Sequence, residues 1–409
     1  MTKFVEAVFP ERMGRSFRWL VGSSWVSNIG DGIAMAAGPL LVASQTGSPF
    51  LVALAALLNK LPWLLFGLWA GAIADRVDRR RLVIVADALR VLVIAALGAF
   101  IVTGAVNITL VLAVMLALGI AEVFADTTSQ TLMPMLVDKK DLAIGHARLQ
   151  AGFLTANQLA GPPLGALLFA AGMVWPFLVQ AVAVGLAIVL VAQVVTPRGP
   201  VRGDISTHVR QDIADGLRWV WRTPAVRTLM LTILTFNITY AAPMGVLVLY
   251  TTEHLGMSQL EFGLLTTAMA LGGLLSTAAF DKLQRRFSFA LIMRVVLSCE
   301  VLWHLVLAIN TTEWGAFAAM FAFGAYSFVW GAISNAVRQR ATPIELQGRV
   351  GSLNMVSVFG GILIGNALGG VIAEQWGLTA PFWFGFVGAG ITLALIWRAL
   401  GHIAHAEAD

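Results

Sequence analysis

Two carboxylates, Asp31 and Glu122, stand inside long apolar stretches of the sequence. A charge at the centre of a bilayer costs about 3 kcal/mol on insertion scales, so such a residue is usually retained for a function. Burial favours the neutral acid and a neighbouring cation favours the carboxylate, so a change of environment can load and release a proton. We therefore predict ion-coupled transport, with Asp31 as the first and Glu122 as the second candidate for binding a proton or a cationic substrate.

Polar side chains recur on the helix face that carries Asp31. Asn28 precedes it by three residues and Met35 follows it by four, which is the spacing of one face of an α-helix. Lys60 stands in the next apolar stretch, and both it and Asp31 lie roughly 20 Å from a cytoplasmic turn at ~1.5 Å per residue. We expect either a static Asp31–Lys60 pair that joins two helices, or a coupling pair in which a proton or bound cation competes with Lys60.

A substrate cavity is expected to take polar and aromatic side chains from both halves of the chain. Aromatic rings can stack on apolar or cationic substrates, although rings at helical spacing are also typical of helix packing. The predicted cavity residues are Met35, Met115, Asn237, Tyr240, Tyr326 and Trp330.

Two other groups of titratable residues have simpler interpretations. Glu300 and His304 are four residues apart on one helix face, where we expect a local pair or a packing contact, with ion coupling as the alternative. His402 and His405 lie beside two acidic residues at the end of the chain, and a solvated tail is expected there. We therefore predict no metal site.

Sequence motifs for energy-using or hydrolytic enzymes are absent. None of the five lysines follows a glycine, so the sequence contains no Walker A motif. Gly-x-Ser-x-Gly, His-Glu-x-x-His and Cys-x-x-Cys are also missing. We therefore predict a protein that is not an enzyme, needs no cofactor and draws its energy from an ion gradient.

The composition indicates an integral membrane protein. The chain is 58% hydrophobic and 12% charged, with a mean hydropathy of +0.82, whereas soluble domains are roughly 25% charged. Runs of about 20 apolar residues can cross a ~30 Å hydrocarbon layer as helices. Twelve such spans are predicted, at 18–44, 49–74, 82–103, 108–132, 142–171, 174–195, 225–251, 259–280, 288–310, 314–337, 347–376 and 379–401.

The basic residues mark one side of the membrane. The net charge of +5 and the pI near 9.8 could indicate a nucleic-acid partner, but lysines and arginines collect in alternate turns and are missing from the turns between them. This asymmetry places both termini and the basic turns in the cytoplasm. We predict a multi-pass protein whose partners are the bilayer, a small-molecule substrate and protons, without nucleic acid. The first apolar run is too long for a cleavable signal peptide.

The second half of the chain repeats the first. The basic turn at 71–82 is echoed at 277–288, 206 residues later, and Asn28 to Asp31 is echoed by Asn237 to Tyr240, 209 residues later. Such echoes are expected from a duplicated six-helix unit. We predict an N-terminal bundle at 1–195, a cytoplasmic linker with an amphipathic helix on the leaflet at 196–224, and a C-terminal bundle at 225–409.

Several motifs resemble those of a known family. The turn at 71–80 (GAIADRVDRR) resembles the loop 2–3 signature of the major facilitator superfamily, and Gly161-Pro162-x-x-Gly165 resembles the span 5 motif of its drug:proton antiporters. The segments 30–31, 216–224 and 348–350 are similar to the branch with macrolide efflux proteins and the enterobactin exporter. Span 4 contains no arginine, whereas many drug antiporters carry one there. The resemblance implies an all-α membrane protein of twelve transmembrane helices in two six-helix bundles.

The resemblance also implies a cytoplasmic gate at the basic turn. In the family, the aspartate equivalent to Asp75 sits at the start of span 11, where helix dipoles favour an anion. Arg79 would reach the cytoplasmic end of span 4 and pair with Asp126. The alternative is that the arginines only set topology. The residues assigned to this gate are Gly71, Asp75, Arg76, Arg79, Arg80 and Asp126.

The function expected from the sequence is export of amphipathic drugs or lipophilic cations by proton antiport with alternating access. The protein would act in the bacterial inner membrane, and the family expectation is a monomer. Two alternatives stay open: a dedicated exporter of a siderophore or other natural product, and a lysolipid or lipid flippase. A membrane receptor or scaffold is the least favoured class.

Overall fold

A computed structural model describes residues 11–195 and 209–404. These residues form helices joined by short turns, with no strand among them. The start of the chain, most of the linker that divides its halves, and the tail with His405 lie outside the described residues.

Twelve apolar helices follow one another in chain order, as predicted, and are called spans 1 to 12. Nine of them are long and apolar enough to cross a membrane. Spans 6 and 12 are shorter apolar helices, and span 5 contains a π-helical middle. The bounds are Gly14–Gln45, Pro49–Ala74, Arg79–Val102, Ile108–Leu136, Leu142–Gly152 with Phe153–Ala160 and Gly161–Ala171, Trp175–Val191, Pro224–Met244, Gln259–Arg286, Phe289–Ile309, Glu313–Arg340, Gln347–Trp376 and Ala380–Ile396.

Short helices connect or extend the spans. Single turns occur at Glu11–Met13, Lys139–Asp141, Leu247–Leu249, Tyr250–His254 and Ile344–Leu346, and the described chain ends in Ala399–Ala404. The predicted linker helix is observed at Val209–Arg222. Val220 packs on the start of span 7 and on Val350, whereas Leu217 and Trp221 are exposed. This helix therefore has one buried edge and one apolar exposed edge, as an interfacial helix requires.

The described residues form two compact units. Unit 1 contains the chain up to Thr46, the residues from Leu58 to 195, and Ser258–Thr267; unit 2 contains Gly47–Leu57, the residues from 209 to Met257, and those from Ala268 to 404. The units follow the two sequence halves except at the first turns of spans 2 and 8. Each of these segments packs with the other half of the chain.

Unit 1 is held together by close contact of span 1 with spans 5 and 6. A Cβ added to Gly32 would lie 2.6 Å from the carbonyl oxygen of Asn157, and one on Gly161 would collide with Gly32. Only glycine permits this approach of two backbones. The glycines of the GPPLG motif, Gly161 and Gly165, therefore fit span 5 directly against span 1.

Unit 2 is held together by close contact of span 7 with span 11. A Cβ added to Gly361 would lie 2.7 Å from the Leu234 carbonyl oxygen, and one on Gly365 would lie 2.5 Å from the Ile238 carbonyl oxygen. Span 9 packs on spans 10 and 12. Backbone contact through glycines thus joins spans 1 and 5 in unit 1, and spans 7 and 11 in unit 2.

Candidate functional site

An arginine in span 3 forms the centre of the charged site in unit 1. One amino group of Arg90 donates a hydrogen bond to Asp31 of span 1, and the other donates to Asp87, 3.0 Å away. The Arg90 side chain is only 4% exposed and that of Asp87 is 7% exposed, while Asp31 is 20% exposed. A guanidinium so deeply buried requires anionic partners, and this one bridges two.

Two carboxyl groups of span 4 complete this site. Glu122 and Asp126 lie close enough to Arg90 and Asp31 to interact with both electrostatically. Both are half-buried, and neither makes a hydrogen bond or ion pair with another described residue. We call Asp31, Asp87, Arg90, Glu122 and Asp126 the Arg90 cluster. It contains four acidic groups and one basic group inside the apolar part of the protein.

Helix packing directs Asp31 toward Arg90. Gly30 approaches Ala183 of span 6, and Gly32 approaches the backbone of span 5, so the residues on either side of Asp31 are in close contact with neighbouring helices. Arg90 stands eleven residues after Arg79, roughly 16 Å along span 3. The two charged groups therefore meet near the middle of their helices.

Asp31 forms an ion pair, but the predicted basic partner, Lys60, is wrong. Lys60 makes no ion pair or hydrogen bond with any described residue, and Asp31 pairs with Arg90 instead. Similar depth on adjacent helices did not decide the contact, because the rotation of each helix about its axis also matters. The missed signal was Asp87-Ala-Leu-Arg90, opposite charges three residues apart inside an apolar run.

Asp126 likewise belongs to the Arg90 cluster and not to the basic turn. Arg79 donates to Asp75 at 2.6 Å and to the Thr131 carbonyl oxygen at 3.3 Å, and it contacts the sulfur of Met135 at 3.1 Å. Arg79 therefore does reach the C-terminal end of span 4, which is the end that the resemblance implied. The predicted Arg79–Asp126 latch is wrong, because Arg79 ends at Thr131 and Met135.

The remaining arginines of the turn have different environments. Arg80 donates to the carbonyl oxygens of Ala192 and Val194 at the end of span 6, at 3.3 and 3.0 Å. Arg76 is exposed, and Gly71 lies 4.0 Å from Thr127 measured from an added Cβ. The turn is thus fastened to spans 4 and 6 by Arg79 and Arg80.

The predicted cavity residues are found in contrasting environments. Asn28 donates to the Ser24 carbonyl oxygen and Asn237 to that of Ile233, each one turn earlier in its own helix. Met35 is exposed and Met115 is buried. Trp330 is half-buried and makes no ring contact with another described residue. These bonds use the amide N–H groups and leave the Oδ1 acceptor of each asparagine uncommitted by them.

Span 5 opens into a π-helix immediately before its Gly-Pro-Pro motif. The amide of Gly161 donates to the Ala156 carbonyl oxygen, five residues earlier, and Pro162 follows in the next turn. In this wide turn Gln158 donates to Asn157 at 2.8 Å, and the Leu159 carbonyl oxygen accepts from Thr267 of span 8 at 2.9 Å. π-Helical turns leave carbonyl groups open to such partners and often mark functional sites.

A second buried polar group lies on span 9 in unit 2. Glu300 Oε1 is 3.4 Å from His304 Nε2, so the local pair predicted from the four-residue spacing is confirmed. Tyr240 and Tyr326 lie beside it, and Tyr240 stacks on Phe323 with the ring centroids 5.0 Å apart. Both predicted tyrosines are therefore part of one aromatic cluster. In the described part of the chain, no three His, Cys, Asp or Glu side chains are arranged to hold a metal ion.

The two polar sites have chemistry suited to different ligands. The Arg90 cluster has more acidic than basic groups, so it can take up protons or another cation. The Glu300–His304 pair has one acid and one base among aromatic rings. Neither site offers a nucleophile activated by an adjacent base together with oxyanion donors, the arrangement that acyl-transfer enzymes need.

The chain matches a known transporter family along nearly its whole length. Residues 9–408 match the family described as transmembrane secretion effector, of the major facilitator superfamily. The multidrug efflux pump Tap of Mycolicibacterium fortuitum is 29% identical over 370 residues, covering 86% of this chain and 88% of that protein. Tap of Mycobacterium tuberculosis (strain ATCC 25618 / H37Rv) is 30% identical over 365 residues, covering 86% of both chains.

Solved structures show the same fold at low sequence identity. A mutant of the nucleoside transporter NupG superposes with a TM-score of 0.74 at 12% identity, covering 95% of this chain and 99% of that chain. A bacterial homologue of the iron transporter ferroportin gives 0.73 at 19% identity, covering 96% and 99%. The protein is a multi-pass, all-α membrane protein with the major facilitator fold, and it belongs to the transmembrane secretion effector family of the major facilitator superfamily.

Proposed function

We propose that this protein is a secondary transporter that exports amphipathic drugs, including lipophilic cations, in exchange for protons by alternating access. The observation that carries the proposal is the Arg90 cluster, in which four carboxyl groups from three spans surround one buried guanidinium. Kinship with Tap proteins, which are named as multidrug efflux pumps, supports export of several different compounds.

Proton binding follows from the charge balance of the cluster. If every carboxyl group were ionised, three negative charges would stay uncompensated by Arg90. Like charges at this distance in a low-dielectric interior do not all stay ionised, so the cluster holds protons that it can exchange. Arg90 bonds directly to Asp31 and Asp87, whereas Glu122 and Asp126 make no ion pair with a described residue, so we assign the exchangeable protons to Glu122 and Asp126.

Antiport follows if a proton and a cationic substrate compete for the same charge. A lipophilic cation beside Glu122 would neutralise it as a proton does, so the two are not held together. Asp31 is 20% exposed and is the member of the Arg90 pair that a substrate can approach. When a bound substrate breaks the Asp31–Arg90 ion pair, the loss of this bond would change the position of span 3, which carries Arg90.

The basic turn is proposed as the cytoplasmic gate. The Asp75–Arg79 ion pair and the bonds of Arg79 and Arg80 to spans 4 and 6 make the turn a rigid extension of unit 1. A rigid turn can transmit movement of span 3, where Arg90 lies, to the cytoplasmic surface. We place both termini in the cytoplasm and the protein, as a monomer, in the bacterial inner membrane.

The test is efflux of a preloaded lipophilic cationic dye from cells that lack their own pumps. Wild-type efflux should collapse when a protonophore is added, and Glu122→Gln should abolish gradient-driven efflux and weaken binding of the dye. Lys60→Met is the matched control, because Lys60 makes no ion pair with a described residue. Full efflux by both Asp31→Asn and Glu122→Gln would refute the proposal.

The alternatives predict different outcomes in the same cells. A dedicated natural-product exporter would move no dye but would still respond to a protonophore with its own substrate. A lysolipid flippase would move fluorescent lysolipid between leaflets without conferring drug resistance. Either result would leave the family assignment unchanged.

A further inference from the structure

The buried Glu300–His304 pair has no role in the charged site of unit 1. Glu300 is 7% exposed and His304 is 0% exposed, so bulk water does not solvate either group. Their side chains lie 3.4 Å apart between Oε1 and Nε2. Glu300 Oε1 and His304 Nε2 make no hydrogen bond with a described residue. Either group can accept a proton, and the pair is neutral overall when one proton is bound.

The internal repeat relates this pair to the Arg90 cluster. Tyr240 stands 209 residues after Asp31, and Glu300 stands 210 residues after Arg90. Spans 3 and 9 begin in the same register, since their capping residues Asp78 and Ser288 are also 210 residues apart and each accepts from the backbone amide three residues later. Glu300 therefore occupies the place of Arg90 in its own half.

The same two positions face each other in both halves. Asp31 pairs directly with Arg90, and Tyr240 lies close enough to Glu300 to interact with it electrostatically. The ion pair between the first and third spans of unit 1 thus corresponds to an electrostatic interaction of a tyrosine with an acid between spans 7 and 9. The geometry of a charge-binding site is retained in unit 2 while its chemistry differs.

The aromatic rings near Glu300 pack closely against one another. Phe323 lies against Tyr240, Trp303 and Tyr326 with centroid distances of 5.0, 5.1 and 5.4 Å. Trp303 also contacts the ring of His304 at 4.9 Å. Rings in mutual contact at these distances fill the space an organic cation would need. A proton requires no such space.

The packing of span 12 provides a site for the imidazole. A Cβ added to Gly385 would lie 2.6 Å from His304 Cε1, so the ring rests directly on the backbone of span 12. His304 Nδ1 and Trp303 Nε1 are buried, and neither has a hydrogen-bond partner among the described residues. A buried imidazole nitrogen without a partner is a free position for a proton.

Few other charges surround the pair. Span 7 contributes Tyr240 and span 10 contributes Tyr326, whereas span 12 contains no titratable residue. Span 9 itself also carries Cys299 and Arg294, and Arg294 is engaged by the Trp397 carbonyl oxygen at 3.3 Å. His402 is exposed on the terminal helix, which packs on span 9. The pair is therefore the main acid–base couple of this region.

We infer that Glu300 and His304 form a second proton-binding site, which loads and releases one proton during transport. In the loaded state the proton is bonded to Glu300 or to His304, and the pair is neutral. Release of that proton to water leaves one negative charge on Glu300, and the hydroxyl groups of Tyr240 and Tyr326 lie close enough to interact with it electrostatically. This inference rests on the proposed proton antiport, because a site without a proton gradient would have nothing to couple.

The first measurement is infrared titration of the purified full-length protein in detergent. A carboxyl group that changes protonation gives a band whose intensity follows pH. Wild-type protein should show a titrating band that Glu300→Gln loses, and His304→Gln should shift its midpoint. Ser298→Ala is the matched control, since the one bond of Ser298 to a described residue goes to the Arg294 carbonyl oxygen of its own helix.

The second measurement is the pH profile of dye efflux by the same variants. The efflux rate of Glu300→Gln should lose the pH-dependent change that belongs to this pair, whereas Ser298→Ala should keep it. In Glu300→Gln, substrate binding should also release one proton fewer than in wild type. If Glu300→Gln does not fold, Tyr240→Phe and His304→Gln test the same shift. An unchanged titrating band and pH profile in these variants would make the pair a static contact and overturn the inference.

Two other outcomes separate this inference from the proposed function. Dye binding weakened at every pH, with proton release unchanged, would make Glu300 a substrate contact and would also overturn the inference. Wild-type efflux insensitive to a protonophore would refute proton antiport itself, whatever the infrared titration shows. Protonophore-sensitive efflux with no effect in the Glu300 and His304 variants would refute only the second site.

Discussion

Unit 1 and unit 2 place different chemistry at positions related by the internal repeat. The Arg90 cluster contains a guanidinium between two directly bonded carboxylates, whereas the corresponding part of unit 2 contains a carboxylate beside tyrosine and histidine. Both units keep glycine-mediated contact between two of their central helices. Helix packing was thus preserved after duplication, while the polar residues diverged.

The difference has an energetic reason. Arg90 stays charged, so it needs permanent anionic partners wherever it is buried. Glu300 and His304 can both become neutral, and aromatic neighbours are then compatible with them. The buried polar groups of unit 1 are therefore paired by charge, whereas those of unit 2 are surrounded by aromatic rings.

The largest effect is expected from removing Arg90. Arg90→Met leaves Asp31 and Asp87 without their cation, and breaking a buried pair in this way costs about 3–5 kcal/mol. We expect a large fall in the unfolding temperature in detergent and loss of efflux. Arg81→Met is the control on the same helix, because the Arg81 side chain is 80% exposed.

A compensated variant would sharpen this prediction. Combining Arg90→Met with Asp31→Asn and Asp87→Asn removes the uncompensated charges, so the unfolding temperature should recover while efflux stays absent. Recovery of efflux in the triple variant would show that the cluster is structural only.

A smaller effect is expected where an aromatic environment is over-packed. Gly385→Ala forces the His304 ring away from span 12, and over-packing of this kind costs about 1–3 kcal/mol. Gly390→Ala is the matched control, since its Cβ would lie at 3.8 Å from Val301, an ordinary contact. Equal unfolding temperatures for the two variants would contradict the tight packing of His304.

Lys60 gives a third comparison, now within unit 1. Asp31→Asn should abolish gradient-driven efflux, whereas Lys60→Met should leave both efflux and the unfolding temperature close to wild type. The reason is that Asp31 bonds to Arg90 and not to Lys60. Equal loss of transport in the two single variants would show that Lys60 also acts on substrate or protons.

The smallest effect on stability is expected at the repeated basic turns. Asp75 pairs with Arg79 at 2.6 Å, while its counterpart Asp281 accepts from Gln284 at 3.1 Å. Asp75 is 45% exposed, so loss of its pair should change the unfolding free energy by about 0.2–1 kcal/mol.

Transport separates these two turns more clearly than stability does. Asp75→Asn should slow efflux more than Asp281→Asn, because Asp75 orients the arginine that is bonded to span 4. Exchanging the charges with Asp75→Arg and Arg79→Asp should restore part of the activity. Wild-type efflux from Asp75→Asn would favour a purely topological role for the arginines.

Much of the charged site was visible in the sequence without its connections. Asp31, Glu122 and Asp126 were recognisable because a carboxylate within an apolar run stands out against its neighbours. Arg90 and Asp87 gave the same signal but were overlooked in span 3. The partner of Asp31 could not be inferred, since Lys60 and Arg90 lie on different helices and the sequence does not report which helix face meets span 1.

The sequence by itself determined the twelve spans, the basic turns and the internal repeat. Each of these depends on the length of an apolar run or on the order of residues, and both are visible in a single sequence. Only the tertiary structure decided that Arg90 joins Asp31 to Asp87, that Arg79 ends at Thr131, and that Glu300 faces Tyr240. These contacts depend on helix rotation and depth, which are set by glycine contacts between helices far apart in the chain.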